Sequence, residues 1–408
     1  MLVCRDPQEA GLLARRAALG ATVGRQYATK GEKGRKELRM VASNGTNGLA
    51  SQAVRWQRVV PFLALTFGVT YAYNLFMALT VGYAAPALGL MLQGQMLIPA
   101  CAALVLQVFV WEDHPLYYRR SFSWVRVFAF FYLAYGTGFL VLAVIAGLGV
   151  DQTSLAVMSG TTQLVTLGGF VFVILLQFLA PKEERKALGV ALGAFKWYVL
   201  FALLLVVLYC VMTALNYAFS LGEAVDAKEL VRQLAAQAGQ TAGDLEQLPN
   251  FLFVLVLGFQ SVFFASLFAL LIVFGEEYGW RGFLQGELAR LGKVKGIALL
   301  GVIWGVWHAP VIVMGHNYPG YPLLGVFLMI LYCVCLGFIL GYAMLKSGSV
   351  WVVAYLHAVN NQVLSFLSMM VYKPDNPVLS FGAGVYGIVL MGLVVGLLLL
   401  DRRTWETT

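Results

Sequence analysis

The chain has 408 residues, of which 60% are hydrophobic and only 12% charged, and its mean hydropathy is +0.78. A water-soluble domain is nearer half apolar and a quarter charged, so this balance excludes an ordinary soluble protein and points to a chain immersed in lipid. The net charge of +8 is unevenly spread: residues 1–58 hold 11 Lys/Arg against 4 Asp/Glu, and the remainder 17 against 16. The basic character is therefore a tail, not a patch on a folded face. No nucleic-acid-binding module accompanies it, so no nucleic-acid partner is expected, and contact with anionic lipid is the economical reading.

The first 40 residues carry Arg15, Arg16, Arg25, Lys30, Lys33, Arg35, Lys36 and Arg39 without an apolar run long enough for a signal peptide. They read either as an Arg-rich targeting segment or as an over-long gene start with Met40 as initiator. On both readings residues 1–57 form a disordered basic tail. A membrane span needs about 20 mostly apolar residues. Stretches near 59–81, 86–110, 127–148, 160–180, 197–219, 251–275, 296–314, 322–345, 349–371 and 379–400 qualify. Cations cluster before the first stretch (Arg55, Arg58) and after each even-numbered one: Arg119, Arg120 and Arg126; Lys182, Arg185 and Lys186; Arg290, Lys293 and Lys295; Lys346; Arg402 and Arg403. By the positive-inside rule both termini are cytoplasmic.

The expectation is an all-α, polytopic membrane helix bundle of about ten transmembrane helices. It is an integral, multi-pass protein assigned to a bacterial cell membrane, with the bilayer as its partner. The chain divides into the tail (1–57), five spans and an outer loop (58–250), a core (251–372), and a last span with a cytoplasmic C-terminus (373–408). The outer loop 220–250 contains AKELVRQLAAQAG, spaced as an amphipathic helix at the interface or as a solvated loop helix. The cysteines form no C-x-x-C pair, so neither a disulfide framework nor a structural zinc site is indicated.

Ionisable groups inside a bilayer are costly and usually functional, and here they fall in the second half of the chain. In GEEYGWRGFLQGELAR (Gly275–Arg290), Glu276 and Glu277 point about 100° apart on a helix, and Arg281 shares a face with Glu277. That pairing keeps Glu277 charged and leaves Glu276 free to titrate. A plainer alternative ends the span at Gly275, with the charges flanking it. His308 sits near the centre of the seventh stretch, with Pro310 loosening the backbone beside it. In the ninth, His357, Asn360 and Asn361 interrupt an apolar run, and His357 and Asn361 share a face. A carboxylate beside a histidine can hold and deprotonate a water, and a second histidine with an amide can stabilise the resulting oxyanion. The set Glu276, His308, His357 and Asn361 reads as hydrolysis within the membrane.

These residues resemble the motifs of the CPBP family, the CAAX proteases and bacteriocin-processing enzymes: E-E-x-x-x-R, F-x-x-x-H and H-x-x-x-N on separate membrane helices. The matches are Glu276-Glu277-x-x-x-Arg281, Trp304-x-x-x-His308 and His357-x-x-x-Asn361, within about 255–372. Trp304 departs from the pattern by replacing Phe while keeping an aromatic ring. The resemblance implies a peptide hydrolase like the type II CAAX prenyl endopeptidase, acting on a membrane-associated or lipidated protein or peptide. In it Glu276 with His308 activates water, Glu277 and Arg281 orient the first motif, and His357 and Asn361 position substrate or form the oxyanion hole. The residue set fits a glutamate-type mechanism. The alternative is a divalent metal such as zinc held by Glu276, His308 and His357. An ion-coupled transporter would explain the buried charge but not the ordered motifs, and no internal repeat accompanies it. A non-catalytic membrane partner would not need all six residues.

Overall fold

The computed structural model describes residues 53–82, 86–237, 243, 247–380 and 382–406. The basic tail and the Met1-or-Met40 start therefore lie largely outside the described residues. Apolar composition and the scarcity of internal charge make most of this chain helical: α1 (Trp56–Thr80), α2 (Leu88–Val110), α3 (Trp124–Gly147), α4 (Gln152–Leu179) and α5 (Phe195–Ala218). They are followed by α6 (Ala227–Gln237), α7 (Asn250–Leu291), α8 (Lys293–Trp307), α9 (Ala309–Val313), α10 (Pro322–Ser347), α11 (Val350–Met370), α12 (Val385–Leu399) and α13 (Arg402–Glu406). Among the described residues, eight of these helices are long and apolar enough to cross a membrane: α1 to α5, α7, α10 and α11. The protein is a polytopic, multi-pass helical membrane protein. The two remaining apolar stretches are also helical but shorter, the seventh broken into α8 and α9 and the tenth forming the 15-residue α12.

Helix α7 answers the question left open at Gly275. It runs on for 42 residues to Leu291, about 60 Å at 1.5 Å per residue, and so exceeds one bilayer crossing. It is not uniform, because Gln260–Phe264 and Tyr278–Leu284 are π-helical turns. Such insertions shift the register of side chains and recur at functional sites. The second begins one residue after Glu277.

Close packing around α7 depends on glycine. A Cβ on Gly275 would lie 2.5 Å from the Met96 carbonyl oxygen and 2.7 Å from Leu97 Cα, and one on Gly279 would lie 2.5 Å from Pro99 Cβ. Without side chains there, α2 meets α7 backbone to backbone. On the other side Phe274 stacks on Trp351 of α11, with centroids 4.1 Å apart. Helix α8 approaches α10 in the same manner: Cβ atoms on Gly301 and Gly305 would lie 2.6 and 2.5 Å from Val334 and Ile330 Cα. Gly337 of α10 faces Gly301.

Polar contacts tie one end of the bundle. Arg55 pairs with Glu287, and Arg58 with Asp113. Lys293 Nζ donates to the Thr404 carbonyl at 2.9 Å, and Lys346 pairs with Asp401 at 2.5 Å. The start of α1 and the last helices thus share one end, as an even number of crossings requires. The one sheet among the described residues pairs β1 (Gly222–Ala224) with β2 (Tyr372–Pro374), antiparallel, joining the exits of α5 and α11.

Candidate active site

Two breaks in regular structure and one unbroken helix present the polar side chains. Glu276 leaves α7 just before its π-helical turn, over the glycine contacts with α2. His308 is the junction between α8 and α9. Pro310 has no N–H for the Val306 carbonyl, and the Tyr71 hydroxyl of α1 donates to that oxygen instead, at 2.8 Å. His357 and Asn361 stand one turn apart on α11. All four side chains line one cavity of about 300 Å³, large enough for a small ligand or a short length of peptide.

At its base Glu276 is nearly enclosed, with 2% of its side chain exposed. Its Oε1 lies 3.8 Å from His308 Nε2, and its Oε2 lies 3.6 Å from His357 Nε2. Both distances are too long for a direct hydrogen bond and short enough for a bridging water. The other ring nitrogens are engaged. His308 Nδ1 is 2.9 Å from the Trp304 carbonyl, which only accepts, so this nitrogen carries the proton and Nε2 is left with its lone pair. His357 Nδ1 lies 2.7 Å from Glu277 Oε1 and donates to it.

A second layer lies behind the cavity. Glu277 and Arg281 have fully buried side chains and pair at 2.9 Å; neither lines the cavity. The Arg281 guanidinium also sits 4.2 Å from the centroid of the Trp304 ring. Trp304 in turn donates its indole N–H to Glu276 Oε1 at 3.2 Å and stands edge-on to His357. Asn360 is buried and links helices: Tyr209 of α5 donates to its Oδ1 at 2.8 Å, and its Nδ2 donates to the Tyr332 hydroxyl at 2.8 Å and to Asn361 Oδ1 at 3.0 Å. With its oxygen so occupied, Asn361 offers its amide NH₂ to the cavity.

The six residues expected from sequence therefore separate into a cavity group (Glu276, His308, His357, Asn361) and a backing pair (Glu277, Arg281). Several contributors are not apparent from the motifs. Trp304, expected only to keep an aromatic ring, supplies a hydrogen bond that Phe lacks. His316 lines the cavity. So does Gln95 of α2, which with Gln93 interrupts an apolar run, and that interruption was the available signal. Outside the cavity, His114 is half-buried, and its Nδ1 accepts the Leu116 N–H at 3.2 Å.

Residues 258–363 match the family model described as type II CAAX prenyl endopeptidase Rce1-like. This part of the chain is an Rce1-like domain. A search among curated proteins finds no match to the chain. The Rce1-like domain spans α7 from its first π-helical turn through most of α11, and so contains all six motif residues. The matched segment is thus similar to a family of membrane peptide hydrolases. The zinc alternative finds no support in the donor set. Among the described residues no three His, Cys, Asp or Glu side chains group as metal ligands.

Proposed function

We propose that the protein is an intramembrane endopeptidase of glutamate type that cleaves a prenylated or otherwise membrane-anchored protein near its anchored end. The observation that carries this reading is the pair of gaps around Glu276, 3.8 Å to His308 Nε2 and 3.6 Å to His357 Nε2, at the base of a cavity. A water bridging Glu276 Oε1 and His308 Nε2 meets two acceptors. It donates both protons and turns its lone pairs toward the cavity. As it attacks a peptide carbonyl, Glu276 takes one proton and later returns it to the leaving amine, the acid–base cycle open to a single positioned carboxylate. The Asn361 amide donates to the oxyanion, and His357, when its Nε2 carries a proton, donates to the same place. Glu277 holds the His357 ring and is itself held by Arg281. Trp304 fixes the Glu276 carboxylate.

The end of the bundle bearing Arg55, Arg58, Lys293, Lys346 and Arg402 faces the cytoplasm on the positive-inside rule. The prenylated-substrate class follows from the description of the matching family. The test is cleavage of a farnesylated fluorogenic peptide by the purified full-length protein in detergent, with wild type, Glu276→Gln and a chelator run side by side. Cleavage that requires Glu276 and survives the chelator supports the reading. Activity equal in the variant, or abolished by the chelator and restored by zinc, would falsify it.

A further inference from the structure

Buried side-chain oxygens and nitrogens without a hydrogen-bond partner among the described residues include atoms of Thr66, Asn74, Gln95, Asn216 and Glu277. Of these, only Gln95 also lines the active cavity. The residue is 3% exposed, and its Oε1 has no partner. An acceptor left so in a water-poor interior costs stability unless something meets it in the working state. Its helix brings it there by construction. Gly275 and Gly279 of α7 rest on the Met96–Leu97 and Pro99 backbone of α2, so Gln95 adjoins Met96 on one side of that seam and Glu276 adjoins Gly275 on the other. Pro99 has no N–H for the Gln95 main-chain carbonyl, its partner four residues back, which leaves a second acceptor at the same residue.

Of the other polar groups of the cavity, Glu276, His308, His357 and Asn361 are assigned in the proposed mechanism to water and to the oxyanion, and Gln93, His316, Asn317, Tyr332 and Ser365 also line it. The main-chain N–H groups of a bound peptide also need acceptors once taken out of water, and among the lining residues Gln95 is the one whose buried side-chain oxygen has no partner. We infer that Gln95 is a substrate-positioning residue, its Oε1 accepting a main-chain N–H of the peptide held in the cavity. The inference rests on the endopeptidase reading above and extends it to a helix outside the Rce1-like segment. It makes the wall formed by α2 a recognition surface for the peptide backbone, indifferent to side-chain identity at that position.

The experiment is steady-state kinetics of wild type and Gln95→Met on a farnesylated fluorogenic peptide and on versions in which single backbone amides around the scissile bond become esters. An ester removes one N–H and little else. For wild type, one ester position should raise KM by roughly 3–10-fold, the range for one lost hydrogen bond. Gln95→Met should raise KM for the all-amide peptide by a similar factor, with kcat within about two-fold, and should no longer distinguish the ester at that position. Glutamine-free discrimination, in which Gln95→Met responds to every ester as wild type does, overturns the inference, as does a wild type indifferent to all ester positions. The wild-type ester scan stands even if Gln95→Met fails to fold. Absence of any Glu276-dependent cleavage overturns the endopeptidase reading itself, whereas Glu276-dependent cleavage with unchanged KM in Gln95→Met overturns only the role of Gln95.

Discussion

Glu276 and Glu277 are neighbours in sequence and opposites in setting. Glu276 faces a cavity and has a histidine nitrogen 3.6–3.8 Å from each of its oxygens. Glu277 is sealed behind it, with Arg281 at 2.9 Å and His357 at 2.7 Å on one oxygen. The loose geometry leaves these atoms free to share a reactant on the cavity side, and the tight one does not. On the proposed mechanism, two carboxylates of equal intrinsic acidity are divided between chemistry and support by the 100° step of a helix and by what each direction meets.

Removing the open carboxylate should have the largest effect. Glu276→Gln is expected to lower kcat by roughly 10²–10⁴-fold, the usual worth of a positioned acid–base group, while thermal unfolding in detergent stays near wild type. A large drop in melting temperature would instead make Glu276 a structural member of the sealed layer. Arg281→Met tests that layer in the reverse sense. It strands Glu277 in a fully buried site, so stability should fall by about 3–5 kcal/mol, measured by denaturant or thermal unfolding, with activity falling alongside.

Trp304→Phe addresses the hinge between the two layers. It restores the family's usual residue type but removes the donor to Glu276 Oε1, so kcat should drop by about 10-fold, as for one hydrogen bond to a charged group, with the fold retained. A fully active Trp304→Phe would show that the indole N–H is dispensable. The smallest effect lies outside the spans. Burial, aided by nearby Arg58, pushes His114 down to about 4, and burial pushes His316 down to about 4. Each takes its proton more readily in the unfolded chain, near 6.5. Their contribution to stability is therefore complete above about pH 6.5 and is lost as pH falls toward about 4. Melting temperatures across that window should decline, and less steeply in His114→Gln.

Much of this layout was legible in the sequence because the bilayer exaggerates it. An apolar run of about 20 residues announces a helix, and a charged residue within one announces a role. Glu276, Glu277, Arg281, His308, His357 and Asn361 stood out on those grounds, and Pro310 marked the break that places His308. What remained hidden depends on partners far apart in the chain. Nothing local to Asn360 shows that Tyr209 and Tyr332 will hold it, nor that Gln95 will meet the cavity while Gln107, on the same helix, accepts from the Tyr278 hydroxyl at 2.7 Å. Trp304 was visible as a ring; its donor became meaningful only once Glu276 was seen at 3.2 Å.

The bond from Tyr71 to the Val306 carbonyl bears on how such a site could be transplanted or trimmed. The oxygen uncovered by Pro310 is served by a hydroxyl 235 positions earlier, on a helix that shares no motif with the reaction. A graft of the motif helices onto another bundle would carry the proline and its exposed carbonyl without the hydroxyl that answers it. The smallest portable version of this chemistry therefore begins at α1, well before the first glutamate.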